Sequence, residues 1–381
     1  MSCEKEIVVP VRDLSTSHLN LPPGVPPLSA LYLYASGSCN LACRHCWITP
    51  EYIGFEPGEH VAPGQHVPLE YVDKAIRQGK PLGLQAIKLT GGEPTLHPRF
   101  RDLVNLIAQA DLRILLETNG TLIDDDLAAF LRDTPQLTFV SVSLDGADAT
   151  THDTMRSVEG SFQRAIEGIK ALVKVGFRPQ VICSLHKGNI DQVDDLIALA
   201  EELGCGSVKF NLIQEMGRGE QFFARQGLSI QECIAENERI ERQVIPRSKI
   251  DIYFDIPLAF RPLTRLLRGD TSHCGILTIL GLLSSGELSL CGIGETVPEL
   301  IYGHIAYDDL YDVWCENPGL VALREQIPAR LEGVCAQCLH RALCLGTCVA
   351  HNYHASGRLT APYRFCQEAD DLGLFPVSRK K

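Results

Sequence analysis

The sequence predicts an α/β protein whose first half is a series of parallel β/α units and whose C-terminal part is dense in cysteine. Three observations carry that prediction. Between residues 28 and 212, short β-rich runs alternate with amphipathic stretches. A loop with three cysteines follows directly on the first of those runs, and seven more cysteines fall between Cys274 and Cys366.

The elements follow in order. The first thirty residues are proline-rich (Leu21-Pro22-Pro23-Gly24-Val25-Pro26-Pro27) and read as an extended arm, 1–28. Strands are expected at 30–35, 86–90, 113–118, 139–144, 180–185 and 207–212, and helices between them at 69–78, 100–110, 124–131, 162–175 and 193–203. Six strands in this alternation point to an open or partial (β/α)6 barrel of the TIM type; a flat doubly wound sheet has the same pattern. This core is placed at 29–215. Residues 216–270 are charged and read as a helical connection, 271–371 as the cysteine-rich unit and 372–381 as a tail.

Composition narrows the function classes. The net charge is −12 with no long run of Lys or Arg, which argues against nucleic acid as a partner. No apolar run approaches the ~20 residues that span a bilayer, and Met1 to Asp13 lacks the layout of a secretory signal. A cytoplasmic location is therefore expected. In such a reducing compartment fifteen cysteines favour metal or redox chemistry over disulfides.

The first cluster is Gly37-Ser38-Cys39-Asn40-Leu41-Ala42-Cys43-Arg44-His45-Cys46-Trp47. Three thiolates on one loop can hold three irons of a [4Fe–4S] cubane and leave the fourth without a protein ligand. An open metal position is what a catalytic site needs. The plainer reading is a structural zinc site short of one ligand. His45 would have to supply it from between two cysteines, which strains the chelate.

Cys-x3-Cys-x2-Cys followed by an aromatic at the end of a first strand resembles the radical SAM superfamily, whose members cleave S-adenosylmethionine (SAM). Other segments extend the likeness. Lys88-Leu89-Thr90-Gly91-Gly92-Glu93-Pro94 resembles the family's Gly-Gly-Glu-Pro motif, with glycines that let backbone approach a ligand and a Glu93 suited to an ammonium group. Glu117-Thr118-Asn119-Gly120 and Ser141-Val142-Ser143-Leu144-Asp145-Gly146 end the third and fourth strands. The resemblance implies that Trp47, Gly91, Gly92, Glu93, Asn119 and Ser143 contact the cofactor and that Arg156 contacts the SAM carboxylate. It also implies reductive cleavage of SAM to methionine and a 5′-deoxyadenosyl radical, which takes hydrogen from an unactivated carbon. Substrate would enter where Trp47, Glu93, Asn119, Ser143 and Lys209-Phe210-Asn211 converge. Each segment alone is an ordinary turn or surface charge; their order at successive strand ends carries the likeness.

The later cysteines resemble the SPASM extension found on many peptide-modifying radical SAM enzymes. Cys274-x11-Gly286-x4-Cys291 is followed by Cys335-x2-Cys338-x5-Cys344-x3-Cys348 and then by Cys366. The resemblance implies two auxiliary [4Fe–4S] clusters beside the SAM-binding one. Cys335, Cys338, Cys344 and Cys366 would hold the outer cluster; Cys274, Cys291 and Cys348 would hold the inner. No cysteine lies between Cys274 and Cys291, so the inner cluster is expected to keep an open iron or to draw a ligand from elsewhere, Cys315 or the substrate included. Cys183, Cys205 and Cys233 read as small buried apolar groups.

The resemblance favours maturation of a ribosomally made peptide by a thioether, ether or carbon–carbon cross-link or by epimerisation. The stretch before the first strand is shorter than the peptide-docking domain of many maturases, so a separate docking protein is expected, with a reductase, flavodoxin or ferredoxin as electron donor. The alternative is a small-molecule enzyme acting on a sugar or tetrapyrrole. A formylglycine-forming sulfatase maturase fits less well, because the relatives' Asp base is Gly292 here.

Overall fold

The computed structural model describes Leu19 and residues 21–54, 64–269 and 274–381. Cys3 and most of the expected N-terminal arm lie outside the described residues.

The six expected strands form, as β1 (Ala30–Ser36), β2 (Ala86–Gly91), β3 (Arg113–Thr118), β4 (Leu137–Ser143), β5 (Gln180–Leu185) and β6 (Ser207–Leu212). The expected helices also form, as Leu69–Gly79, Phe100–Gln109, Asp125–Arg132, Ser161–Lys174 and Val193–Leu203. The fold is α/β with a mostly parallel central sheet.

The strands use their period of two to separate core from cavity. In β2, Ile87 and Leu89 are buried against the helices, while Lys88 and Thr90 line the interior. In β6, Val208 and Phe210 are buried in the hydrophobic core, while Lys209 and Asn211 line the cavities. Phe210 therefore does not join the substrate face that the sequence implied. Helical spacing supplies the other half of the core, with Leu103, Val104 and Ile107 on one helix and Ala165, Ile169 and Leu172 on another. Burying each leucine or isoleucine stabilises the fold by roughly 1.5–3 kcal/mol.

Four further strands extend the sheet. β7 (Asp251–Phe254) pairs in parallel with β6, inside the stretch expected to be helical. On the other edge β8 (Ile279–Leu282) pairs in parallel with β1, and β9 (Glu287–Ser289) and β10 (Ile301–His304) follow antiparallel. The sheet order is β10-β9-β8-β1-β2-β3-β4-β5-β6-β7. The cysteine-rich C-terminal part is thus hydrogen-bonded to the first strand of the core. Among the described residues, no helix is long and apolar enough to cross a membrane.

Candidate active site

The site is built at the ends of β1 to β6. After β1 the chain turns into the three-cysteine loop, and backbone bonds fix that loop from two sides. Ala42 and Arg44 donate to the carbonyls of Arg156 and Met155 at 3.1 and 2.9 Å, at the end of the helix Ala149–Arg156. Gly92 and Glu93 donate to the carbonyls of Ser36 and Ser38 at 2.8 and 2.9 Å. A Cβ on Gly92 would stand 2.0 Å from the Ser38 carbonyl oxygen, and Gly91 has φ +122°. Only glycines allow this approach.

The ten predicted residues Cys39, Cys43, Cys46, Trp47, Gly91, Gly92, Glu93, Asn119, Ser143 and Arg156 all line one cavity of about 450 Å³. Cys274, Cys291 and Cys348 line the same cavity. A second cavity, of about 270 Å³, is lined by Cys274, Cys348 and Cys344 among others, and a small one of about 20 Å³ by Cys335, Cys338, Cys344 and Cys366. Cys344 thus lines a cavity with Cys274 and Cys348 as well as the one with Cys335, Cys338 and Cys366. Cys315, on the helix Leu310–Glu316 beside Arg324, lines none of these cavities. Cys183, Cys205 and Cys233 are buried in the core.

Electrostatics in the three groups follow from crowding buried thiols. Burial pushes the Cys39 thiol well up, and the neighbouring Cys43 and Glu93 add to it. Burial, then Cys348 and Cys291, do the same to Cys274. Burial pushes Cys291 up to about 12 and Cys335 up to about 11. Such groups ionise together only around a cationic centre, and binding one releases their protons. Among the described residues, no three His, Cys, Asp or Glu side chains close round one point as a single bound ion needs. Cys39, Cys43 and Cys46, three thiols on one loop at the cavity, are a donor set that fits an iron–sulfur cluster.

Three of the predicted residues also make hydrogen bonds within the protein. Glu93 is 1% exposed; its Oε1 accepts from Thr118 Oγ1 at 2.7 Å and Thr95 N at 3.2 Å, and its Oε2 accepts from Asn119 N at 2.7 Å. Its carboxylate ties the end of β2 to the end of β3. Burial raises its pKa, against the pull of those hydrogen bonds. Asn119 donates to Asn40 Oδ1 at 2.8 Å, which orders the loop beside Cys39. Arg156 is buried, with Nη1 donating to Cys43 Sγ at 3.5 Å and Nη2 ion-paired to Asp145 at 2.8 Å. Desolvation alone would raise the Asp145 pKa, but Arg156 foremost, with His45 and His152, holds it below the ordinary carboxylate value. Burial holds His45 down at about 4, and its Nε2 is 3.9 Å from Asp145.

Among the cavity residues that sequence reasoning missed are Tyr34 and Arg218. Tyr34, two residues after Tyr32 on the inward face of β1, accepts from Gly292 N at 2.7 Å. A Cβ on Gly292 would lie 2.3 Å from the Tyr34 ring, so the base of sulfatase maturases has no room at this position. Arg218 enters just after β6; the signal in the sequence was an arginine between two glycines, Gly217-Arg218-Gly219.

Residues 33–202 match the radical SAM superfamily. Over 350 residues the chain is 28% identical to the AdoMet-dependent heme synthase of Methanosarcina barkeri (strain Fusaro / DSM 804), covering 87% of this chain and 94% of that protein. It is 26% identical to the mycofactocin maturase MftC of Mycobacterium ulcerans (strain Agy99), covering 86% of this chain and 85% of that one. Among solved structures, Streptococcus suis SuiB bound to precursor peptide SuiA shares the fold, with a TM-score of 0.69 at 19% identity over 90% of this chain and 76% of that chain. With that match and the three-cysteine loop at its expected strand end, residues 33–202 of this chain form a radical SAM domain.

Proposed function

We propose that the chain modifies a ribosomally made peptide, holding a [4Fe–4S] cluster and SAM at the Cys39, Cys43 and Cys46 loop and two auxiliary clusters at the other cysteine groups. The bound cluster and SAM supply reductive cleavage of the sulfonium and a 5′-deoxyadenosyl radical for hydrogen abstraction. The protein's part is to hold, orient and shield. Gly91 and Gly92 bring backbone to the ligand; Trp47, Asn119 and Ser143 form the wall around it; and the surrounding strands exclude water from the reacting centre. The observation that carries this reading is the single cavity of about 450 Å³ lined by both the three-cysteine loop and the trio Cys274, Cys291 and Cys348. A substrate in that cavity touches both.

The peptide reading is supported by the maturase among the relatives and by the solved fold that holds a precursor peptide. A separate docking protein and a flavodoxin, ferredoxin or reductase would complete the system. One observation favours a second reading, a tetrapyrrole substrate: the heme synthase likeness covers nearly the whole of that relative. Deuterium carried from a labelled substrate into 5′-deoxyadenosine separates the two, with a peptide or an iron porphyrin as the labelled probe.

The test of the site is anaerobic reconstitution. The wild-type chain should hold about twelve irons and form 5′-deoxyadenosine on reduction with SAM; the C39A/C43A/C46A variant should hold about eight and form none. Persistent 5′-deoxyadenosine in that variant would overturn the assignment.

A further inference from the structure

The segment that carries Cys338 and Cys344 lies at the surface and presents apolar side chains there. Leu339, next to Cys338, is 54% exposed, and Leu343, next to Cys344, is 39% exposed. Residues 376–381 pack against this segment through backbone. The Leu339 N–H donates to the Arg379 carbonyl and the Lys381 N–H to the Gln337 carbonyl, both at 2.9 Å. That contact brings the turn Val377–Arg379, with Val377 84% exposed, against Leu339.

Single apolar side chains at a surface need no explanation, but a group of them rimmed by polar residues marks an interaction site. The rim here is cationic, because Arg341, Arg379, Lys380 and Lys381 all belong to these two segments. Lys380 is ion-paired to Asp370. Arg341 and Arg379 donate to the backbone carbonyls of Ala336 and Arg261, which leaves their charges uncancelled. The chain as a whole carries a net charge of −12. An acidic partner is therefore steered to this patch and repelled by much of the remaining surface.

What lies beneath the patch indicates the partner's task. Leu339 and Leu343 are each one peptide bond from a cysteine of the group Cys335, Cys338, Cys344 and Cys366, which lines the cavity of about 20 Å³. The His340 N–H donates to Cys338 Sγ at 3.4 Å. Cys344 also lines the cavity of about 270 Å³ with Cys274 and Cys348, and those two line the large cavity of the three-cysteine loop. Cysteine groups thus follow one another from the apolar patch to that loop.

We propose that this patch docks a small acidic one-electron carrier protein, which passes its electron to the chain at the group Cys335, Cys338, Cys344 and Cys366. The carrier is oxidised by one electron and the chain reduced by one, with no atom transferred. The inference rests on the reading that those four cysteines hold a cluster.

The experiment mixes the reconstituted, oxygen-free enzyme with reduced flavodoxin, an acidic carrier, in a stopped-flow spectrophotometer and follows flavodoxin reoxidation. A parallel series uses dithionite, which is small enough to need no docking face, and follows bleaching of the cluster absorbance. Wild type should take the flavodoxin electron at a rate that falls steeply with added salt. L339E/L343E removes apolar surface and adds acid. It should slow the flavodoxin reaction roughly tenfold or more and leave dithionite reduction at the wild-type rate. K381E should slow it less and flatten the salt dependence. Y307E puts the same charge at an 84% exposed side chain beside the helix Leu69–Gly79 and should match wild type. Iron content checks that every variant is loaded. A fully loaded L339E/L343E protein that flavodoxin reduces at the wild-type rate overturns the proposal. So does a wild type that dithionite reduces and flavodoxin does not. A C335A/C338A protein that keeps as much iron as wild type sinks the underlying reading instead.

Discussion

At the scale of the residue, the buried acids of the site do opposite things. Asp145 has its pKa depressed by Arg156, His45 and His152 against the effect of its burial. Its contribution to stability is therefore fully present above the ordinary carboxylate pKa of about 3.9 and is lost as the pH falls through the lower, folded-state value. D145N leaves Arg156 buried without its partner, and we expect it to destabilise the apo chain by about 3–5 kcal/mol at neutral pH. Urea titrations at several pH values should show the gap between variant and wild type closing in acid. Glu93 is raised, so its charged form is a burden tolerated for the donors it gathers. E93Q turns an amide NH2 toward Asn119 N–H or the threonine donors, and thermal unfolding should report a loss of about 1–3 kcal/mol. A variant of unchanged stability would show that these bonds do not matter. The cysteine groups stood out in the sequence because their members lie a few residues apart, and the fold brings them to the cavities. The hydrogen bonds of Glu93 and Arg156 were not legible there, since they depend on which partner each atom meets after folding.

At the scale of the element, the backbone contact between the end of β2 and the three-cysteine loop allows no side chain. The Cβ of G92A would fall 2.0 Å from the Ser38 carbonyl oxygen, so loop and strand must separate. Overpacking of this kind costs about 1–3 kcal/mol. The displaced loop should also lose its cluster, seen as about four fewer irons per chain after reconstitution. Full iron loading in G92A would refute the claim that this contact shapes the loop. The strands β1 to β6 were readable because each alternates a core side chain with a cavity side chain under an amphipathic helix. β7 was not; it is four residues long and lies within charged sequence whose helical texture masks it. The helix Ala149–Arg156 was missed for a similar reason, since only His152, Met155 and Arg156 on it are buried.

At the scale of the whole molecule, one sheet joins the radical SAM part to the cysteine-rich part through β8 on β1. A chain ending after residue 269 would bare the edge of β1 and uncover Leu31 and Leu33, which are 1% exposed in the intact protein. Exposed edges of this kind pair with other chains, so size-exclusion chromatography should show the truncated protein aggregated and the full chain not. A monodisperse, folded truncation would mean the two parts are independent. The change of texture near residue 271 was visible in the sequence, but the shared sheet was not, because β8 reads as a short apolar run with no mark of its partner.

The most direct test of the account is the electron paramagnetic resonance spectrum of the reduced, fully loaded enzyme with and without SAM. The account predicts that SAM shifts one [4Fe–4S] signal, the one missing from C39A/C43A/C46A, and leaves the others unchanged. A SAM-induced shift that survives in that variant, or no shift in the loaded wild type, would contradict it.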